Sequence, residues 1–181
     1  MKMNTKKLVL NAVLLGIGLV LHQIEPAIFG IKPDMTLIML FTIFIINKGD
    51  YKSCLIAGVV AGIFSGMTTT FPGGQIPNVL DKLITTNITY VIMMLIYKVP
   101  FISKLQEKTQ DLILSCLILS LGTVISGFTF LTSAQILVGL PGDFSMLFMA
   151  VVVPAVIINL FVGLLVFKFI HVTMRRVSFQ S

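Results

Sequence analysis

The stretch Phe144–Ile170 reads FSMLFMAVVVPAVIINLFVGLLVFKFI and holds a single charged residue, Lys168. A helix needs about 20 predominantly apolar residues to cross a bilayer, so this run is long enough to span one. Five further apolar runs precede it, at 8–29, 34–47, 53–70, 78–97 and 110–135. The expected fold is an all-α integral membrane protein with six transmembrane helices, forming one domain over residues 1–181. Leu8–Leu21 and Met35–Ile46 are short for a crossing. Both helices must extend through polar residues, whose ends then face protein or a water-filled cavity rather than lipid.

Composition agrees. Of 181 residues, 56% are hydrophobic and 11% charged, and mean hydropathy is +1.03. Soluble domains run near 45–50% apolar and about 25% charged. The abundance of Leu, Ile, Val and Phe excludes disorder. The net charge of +6 does not indicate nucleic-acid binding, because the cations sit in short clusters between apolar runs. No length remains for a nucleotide-hydrolysing domain. Lys6 and Lys7 before Leu8–Leu21 imitate a signal peptide, but His22-Gln-Ile-Glu-Pro26 lacks a small-x-small cleavage pattern. Cys54 and Cys116 lie in or beside apolar runs and read as small buried hydrophobes.

The charge pattern orients the bundle. With a cytoplasmic N-terminus, Lys2, Lys6, Lys7, Lys48, Lys52, Lys98, Lys104, Lys108, Lys168, Arg175 and Arg176 all fall inside. Only Lys32 and Lys82 fall outside, with Glu25, Asp34, Asp81 and Asp143. This asymmetry follows the positive-inside rule and supports an even number of spans with both termini in the cytoplasm, a four-span arrangement with re-entrant segments being the alternative.

Small residues mark helix packing. Gly58, Gly62 and Gly66 recur at four-residue spacing in the third span, where close approach between helices is expected. Ala12 and Gly16 are a shorter pair in the first span, and Ala155, Asn159 and Gly163 share a face of the last. Pro154 is expected to kink that last helix.

Polar residues gather at the outer side. Asp34, Asn78 and Asp143 are candidate caps for the second, fourth and sixth helices. Asn78, Lys82, Thr85, Thr86 and Thr89 form a stripe on the fourth helix that reads as a wet face, extended by Asp81 through Thr85. Asp81 and Lys82 are adjacent and point about 100° apart, so they are not expected simply to pair. Thr123, Ser126, Thr129 and Ser133 make a second stripe, and Asn159 reads as an interhelical hydrogen-bonding residue. Together these predict an outward cavity carrying both charge signs. Lys32, Lys82 and three helix ends suit a carboxylate; Glu25, Asp34 or Asp81 suits an ammonium; Phe29, Phe71, Phe128 and Phe130 suit an apolar body. That combination fits a zwitterionic amino acid with a large side chain. His22 has no partner at ligand spacing, so no metal site is read, and no cofactor is expected.

Ile31-Lys-Pro-Asp-Met35, followed by Thr68-Thr-Thr-Phe-Pro-Gly-Gly-Gln-Ile-Pro-Asn-Val-Leu-Asp-Lys82, resembles the tryptophan transporter TrpP family. Its members are substrate-binding S components of energy-coupling factor (ECF) transporters. The resemblance implies an S-component-like bundle in the plasma membrane of a prokaryote. It implies capture of tryptophan on the outer side, and partnership with a membrane T component and two cytoplasmic ATPases. It places Gln75, Asn78, Asp81 and Lys82, then Lys32 and Asp34, at the substrate. Gln75, Asn78 or Gln135 is the expected acceptor for an indole N–H, which only donates. S components commonly carry Ala-x-x-x-Ala on the first helix against the T component; Ala12 matches this and Gly16 replaces the second alanine. The chain itself has no phosphate-binding Gly-x-x-x-x-Gly-Lys loop.

Three rivals stay open at this point. An ion-coupled secondary transporter would be expected to show inverted repeats, and none is found. A membrane enzyme would need a nucleophile–base pair or a metal cluster. An S component for a vitamin is separated only by the residue 68–82 motif.

Overall fold

A computed structural model describes residues 5–178 apart from Phe29, with side chains described through Thr173. The inner-side assignments of Lys2, Arg175 and Arg176 and the lining assignment of Phe29 therefore lie outside the described side chains. The described chain is all-helical. In order it forms α1 (Thr5–Ile24), α2 (Met35–Ile46), α3 (Tyr51–Met67), α4 (Gln75–Tyr97), the single turn α5 (Pro100–Ser103), α6 (Glu107–Leu137), the short α7 (Phe144–Leu147) and α8 (Val153–Ser178). Each of the six apolar runs carries a helix. Four helical stretches are long and apolar enough to cross a membrane: α1, α4, α6 and the run Phe144–Thr173. The helices α2 and α3 are shorter.

The first helix stops at Ile24, short of the expected residue 29. Beyond it the amides of Ile28 and Ile31 each donate to the other's carbonyl, at 2.8 and 3.0 Å. Asp34 then caps α2, its Oδ1 accepting from the Leu37 amide at 2.9 Å and the Thr36 hydroxyl at 2.6 Å. Eleven residues of α2, from Met35 to Ile45, are buried. A helix that is apolar on every side belongs inside a bundle, and α2 packs against α1, α3, α6 and α8. At 1.5 Å per residue it is about 18 Å long, well short of a bilayer core. It is thus an enclosed post, and its N-terminal end lies within the bundle.

The glycines of α3 receive α4. A Cβ at Gly62 would lie 3.3 Å from the Lys82 Cβ and from the Val79 Cα; one at Gly66 would lie 2.9 Å from the Gln75 carbonyl; one at Gly58 would overlap Thr86. In lipid, helices associate through close packing rather than hydrophobic force. The missing side chains therefore let α4 approach closely, and they set the depth at which Asp81 and Lys82 sit.

The distortion expected at Pro154 takes a definite form: Phe148–Val152, ending two residues before it, is π-helical. A proline ring clashes with the carbonyl four residues back and donates no hydrogen bond. A π turn at this point accommodates both.

The two ends of the bundle differ. At one end, the Asn47 amide nitrogen donates to Asn11 Oδ1 at 2.9 Å, joining α2 to α1. Lys48 pairs with Glu107, at 3.2 Å, and with Asp111 at the start of α6. Asp50 caps α3 there, and hydrogen bonds from the Ser53 hydroxyl and amide hold its carboxyl below the ordinary aspartate value. The opposite end gathers the 25–34, 68–74 and 138–143 connections around a cavity.

Candidate functional site

The cavity has a volume of about 480 Å³, within the usual range of small-molecule sites. His22 lines it from the last turn of α1, Lys32 from the first connection, Asp34 and Leu37 from the start of α2, and Ser65 and Thr68–Phe71 from α3 and the loop that follows. Asn78, Asp81 and Lys82 come from α4, and Thr123, Ser126, Phe130 and Leu131 from α6. Leu147, Val151, Val152 and Asn159 close it on the last helical run.

The floor is a connected polar network. Lys82 Nζ donates to Asp81 Oδ2 at 2.7 Å, to Asp34 Oδ2 at 2.8 Å and to Ser126 Oγ at 3.2 Å. Asp81 is saturated: Oδ2 also accepts from Ser126 at 2.8 Å, and Oδ1 accepts from Thr85 at 2.9 Å and Thr129 at 3.0 Å. Asp81 and Lys82 are each 1% exposed. Buried charges persist only when paired and hydrogen-bonded, and every polar atom of this pair has a partner. The expectation that Asp81 and Lys82 would not pair is therefore overturned. Their side chains do leave the helix in different directions, but the four-carbon lysine stem bends the ammonium back to its neighbour.

Asp34 sits across from this pair, at the N-terminus of α2. Its backbone amide donates to Asn159 Oδ1 at 2.8 Å, and Asn159 Nδ2 donates to Thr123 Oγ1 at 3.2 Å. Asn159 thus makes the interhelical bonds expected of it and also lines the cavity. Thr36 and Ser65 share a hydrogen bond of 2.7 Å that ties α2 to α3 beside Asp34.

The wet face expected along α4 is shorter than its sequence pattern. Thr85, Thr86 and Thr89 are fully buried. Thr86 packs on Gly58, and the Thr86 and Thr89 hydroxyls have no hydrogen-bond partner. Polar periodicity cannot distinguish a face turned to water from one turned to a glycine groove. On α6, Thr123 and Ser126 line the cavity, while Thr129 reaches Asp81 instead.

The loop after α3 forms the rim. Gly73 has φ of +71°, and a Cβ there would lie 2.6 Å from Val138 Cγ1, so both conformation and space demand glycine. Asn78 lies inside α4, whose N-cap is Gly74, so it does not cap the helix as expected. Its Nδ2 donates to Thr69 Oγ1 at 3.0 Å and to the Gly74 carbonyl at 2.8 Å, holding the loop against α4. Phe71 meets Phe130 edge-to-face, with centroids 5.4 Å apart. Asp143 occupies the N-cap position of α7 without a side-chain hydrogen bond to it.

Of the six residues the sequence places at a substrate, Asn78, Asp81, Lys82, Lys32 and Asp34 line the cavity. Gln75 is exposed on the first turn of α4 and does not line it; Gln135 and Phe128 are also exposed and outside the lining. Ser65, Leu131, Val151 and Val152 are lining residues that the sequence reading did not single out. Only Ser65 carried a signal, as the polar residue preceding Gly66.

A bundle of apolar helices with an enclosed short helix and a two-signed cavity at one end has the form of a helical membrane protein. The chain belongs to the tryptophan transporter TrpP family, whose model matches residues 4–175. It is 46% identical over 181 residues to a probable tryptophan transport protein of Clostridium acetobutylicum, covering 99% of this chain and all of the relative. A protein of the same description from Clostridium perfringens is 44% identical over 97% of this chain and 96% of its own. One from Bacillus subtilis is 38% identical over 99% and 98%. No solved structure matches the chain.

Proposed function

We propose that this chain captures tryptophan on the outer side of the bacterial cell membrane, as the substrate-binding subunit of an ECF-type importer. The observation that carries the reading is the cavity itself. Its lining combines the charged Asp34, Asp81 and Lys82 with the apolar Phe71, Phe130 and Leu131. A zwitterion with a large aromatic side chain needs both. Asp34, Lys32 and Asn78 are the proposed contacts, above the buried Asp81–Lys82 pair. Both Asn78 Nδ2 hydrogen bonds go to the protein, so its Oδ1 is the acceptor left for an indole N–H. Six crossings, with both termini and most cations in the cytoplasm, belong to the same proposal. The cavity end then faces outward.

A T component and two cytoplasmic ATPases complete the proposed machine. Support comes from α1. Ala12, Val13, Ile17 and Val20 are exposed, and a Cβ at Gly16 meets nothing within 4 Å. Gly18, by contrast, faces inward onto Met39. The Ala12–Gly16 pair is thus free of internal packing and suits a partner helix approaching from outside.

The test is a titration of the purified chain in detergent. The chain contains no Trp, so the emission of bound tryptophan reports its own transfer into an apolar site. Saturable binding, competed by unlabelled tryptophan analogues and not by vitamins, is expected. Absence of saturable binding to folded protein would overturn the proposal.

A further inference from the structure

We infer that the cavity recognises the ammonium group of its ligand through Asp34, while Asp81 and Lys82 act as a fixed buried pair that does not touch the ligand. This rests on the proposal that the cavity takes an aromatic amino acid, and it assigns the two polar ends of that molecule.

Three observations carry it. The first is saturation. Lys82 is 1% exposed and already donates to Asp81, Asp34 and Ser126. An ammonium has three protons, so none is left for a ligand carboxylate. Asp81 accepts four hydrogen bonds and is equally closed. The second is access. The Asp34 side chain is 26% exposed within the cavity lining, and among the described residues its Oδ2 accepts only from Lys82. A carboxylate oxygen accepts more than one donor, so Asp34 can take another. Ser65 lines the cavity beside it and adds a hydroxyl oxygen. The third is charge. Among Asp34, Asp81 and Lys82, one ammonium shared by two carboxylates leaves a formal −1, and the neighbouring His22–Glu25 pair, 3.0 Å apart, adds no net positive charge. In a low-dielectric floor an uncompensated charge is unfavourable, and a ligand ammonium at Asp34 brings the sum to zero. A ligand carboxylate there would raise it to −2. The carboxylate therefore points away from the floor, towards Lys32, which lines the cavity and is exposed.

The two ends then differ in weight. The ammonium contact is enclosed and charge-assisted. The Lys32 contact is solvent-screened, and exposed ion pairs contribute little. Removing the ligand's amine should weaken binding far more than removing its carboxylate.

The experiment titrates the purified chain with L-tryptophan, tryptamine and indole-3-propionate. Tryptamine is expected within about fivefold of tryptophan, as for a lost exposed pair. Indole-3-propionate is expected about 30-fold weaker or more, as for a lost charge-assisted hydrogen bond. Asp34→Asn keeps a capping oxygen; it should reduce tryptophan and tryptamine to the level of indole-3-propionate and leave the latter unchanged. Should that variant fail to fold, the three ligands on the unaltered chain still decide. Indole-3-propionate binding as well as tryptophan, with tryptamine lost, would overturn the assignment while leaving the tryptophan proposal intact. No binding of tryptophan itself would remove both.

Discussion

Lys82 Nζ lies 2.8 Å from Asp34 Oδ2, across 48 residues of sequence. This contact joins α4, two turns from its start, to the cap of the enclosed helix α2, so the same lysine that fills the cavity floor also braces the start of α2. Site and fold are mechanically one at this point.

Replacing Lys82 should therefore unfold before it merely weakens binding. Lys82→Met leaves Asp34 and Asp81 facing each other without a cation. Breaking a buried ion pair from one side costs about 3–5 kcal/mol. A large drop in thermal midpoint, followed by circular dichroism in detergent, is the expected result. The double variant Lys82→Met with Asp81→Asn should recover part of the loss. A single variant as stable as the parent would mean that the cluster contributes nothing to the fold.

The glycines of α1 and α3 make a matched pair. Gly58→Ala places a methyl group against Thr86, whereas Gly16→Ala meets open space. Overpacking of this kind costs about 1–3 kcal/mol. Gly58→Ala should lower the thermal midpoint clearly, and Gly16→Ala should leave it unchanged or slightly raised. Equal effects at the two positions would contradict the packing described here.

Gly16→Leu separates binding from assembly. Tryptophan binding by the isolated chain should stay at the parental level, because the side chain projects away from the bundle. Co-purification with a T component, and uptake in cells, should both fall. Normal assembly and uptake would mean that this face meets only lipid.

Gly73 ties the rim to the α6 end. Gly73→Ala forces a side chain into positive φ, at roughly 1–2 kcal/mol, and against Val138. Tryptophan affinity should fall about tenfold, while the unfolding midpoint, governed by the helices, moves little. Unchanged affinity would show that this loop does not shape the cavity.

Much of this was legible in the sequence. Each apolar run carries a helix because length and hydropathy decide that outcome almost alone, and the Gly58–Gly62–Gly66 spacing announced the α3–α4 groove. The helix over Met35–Ile46 does not extend through polar residues as its shortness implied; it keeps the bounds of its apolar run, and only its capping Asp34 reaches the cavity. What the sequence hid is side-chain reach and facing. Neighbouring Asp81 and Lys82 pair because a lysine stem can fold back, which a helical-wheel angle does not capture. Thr86 and Thr89 repeat like cavity residues but turn into the protein, since period alone does not say what lies opposite. Asn78 resembled a cap because the helix was expected to start there; Gly74 starts it earlier, with Pro77 tolerated in the first turn.

The proposed tryptophan-binding cavity, open to the outside, is tested most directly at Thr70. Thr70 is exposed and lines the cavity. A Thr70→Cys variant, with Cys54 and Cys116 replaced by Ala, would be treated in intact cells with a membrane-impermeant maleimide. The expected result is rapid labelling that saturating L-tryptophan slows at least several-fold. Labelling confined to inside-out vesicles, or labelling that tryptophan does not affect, would contradict it.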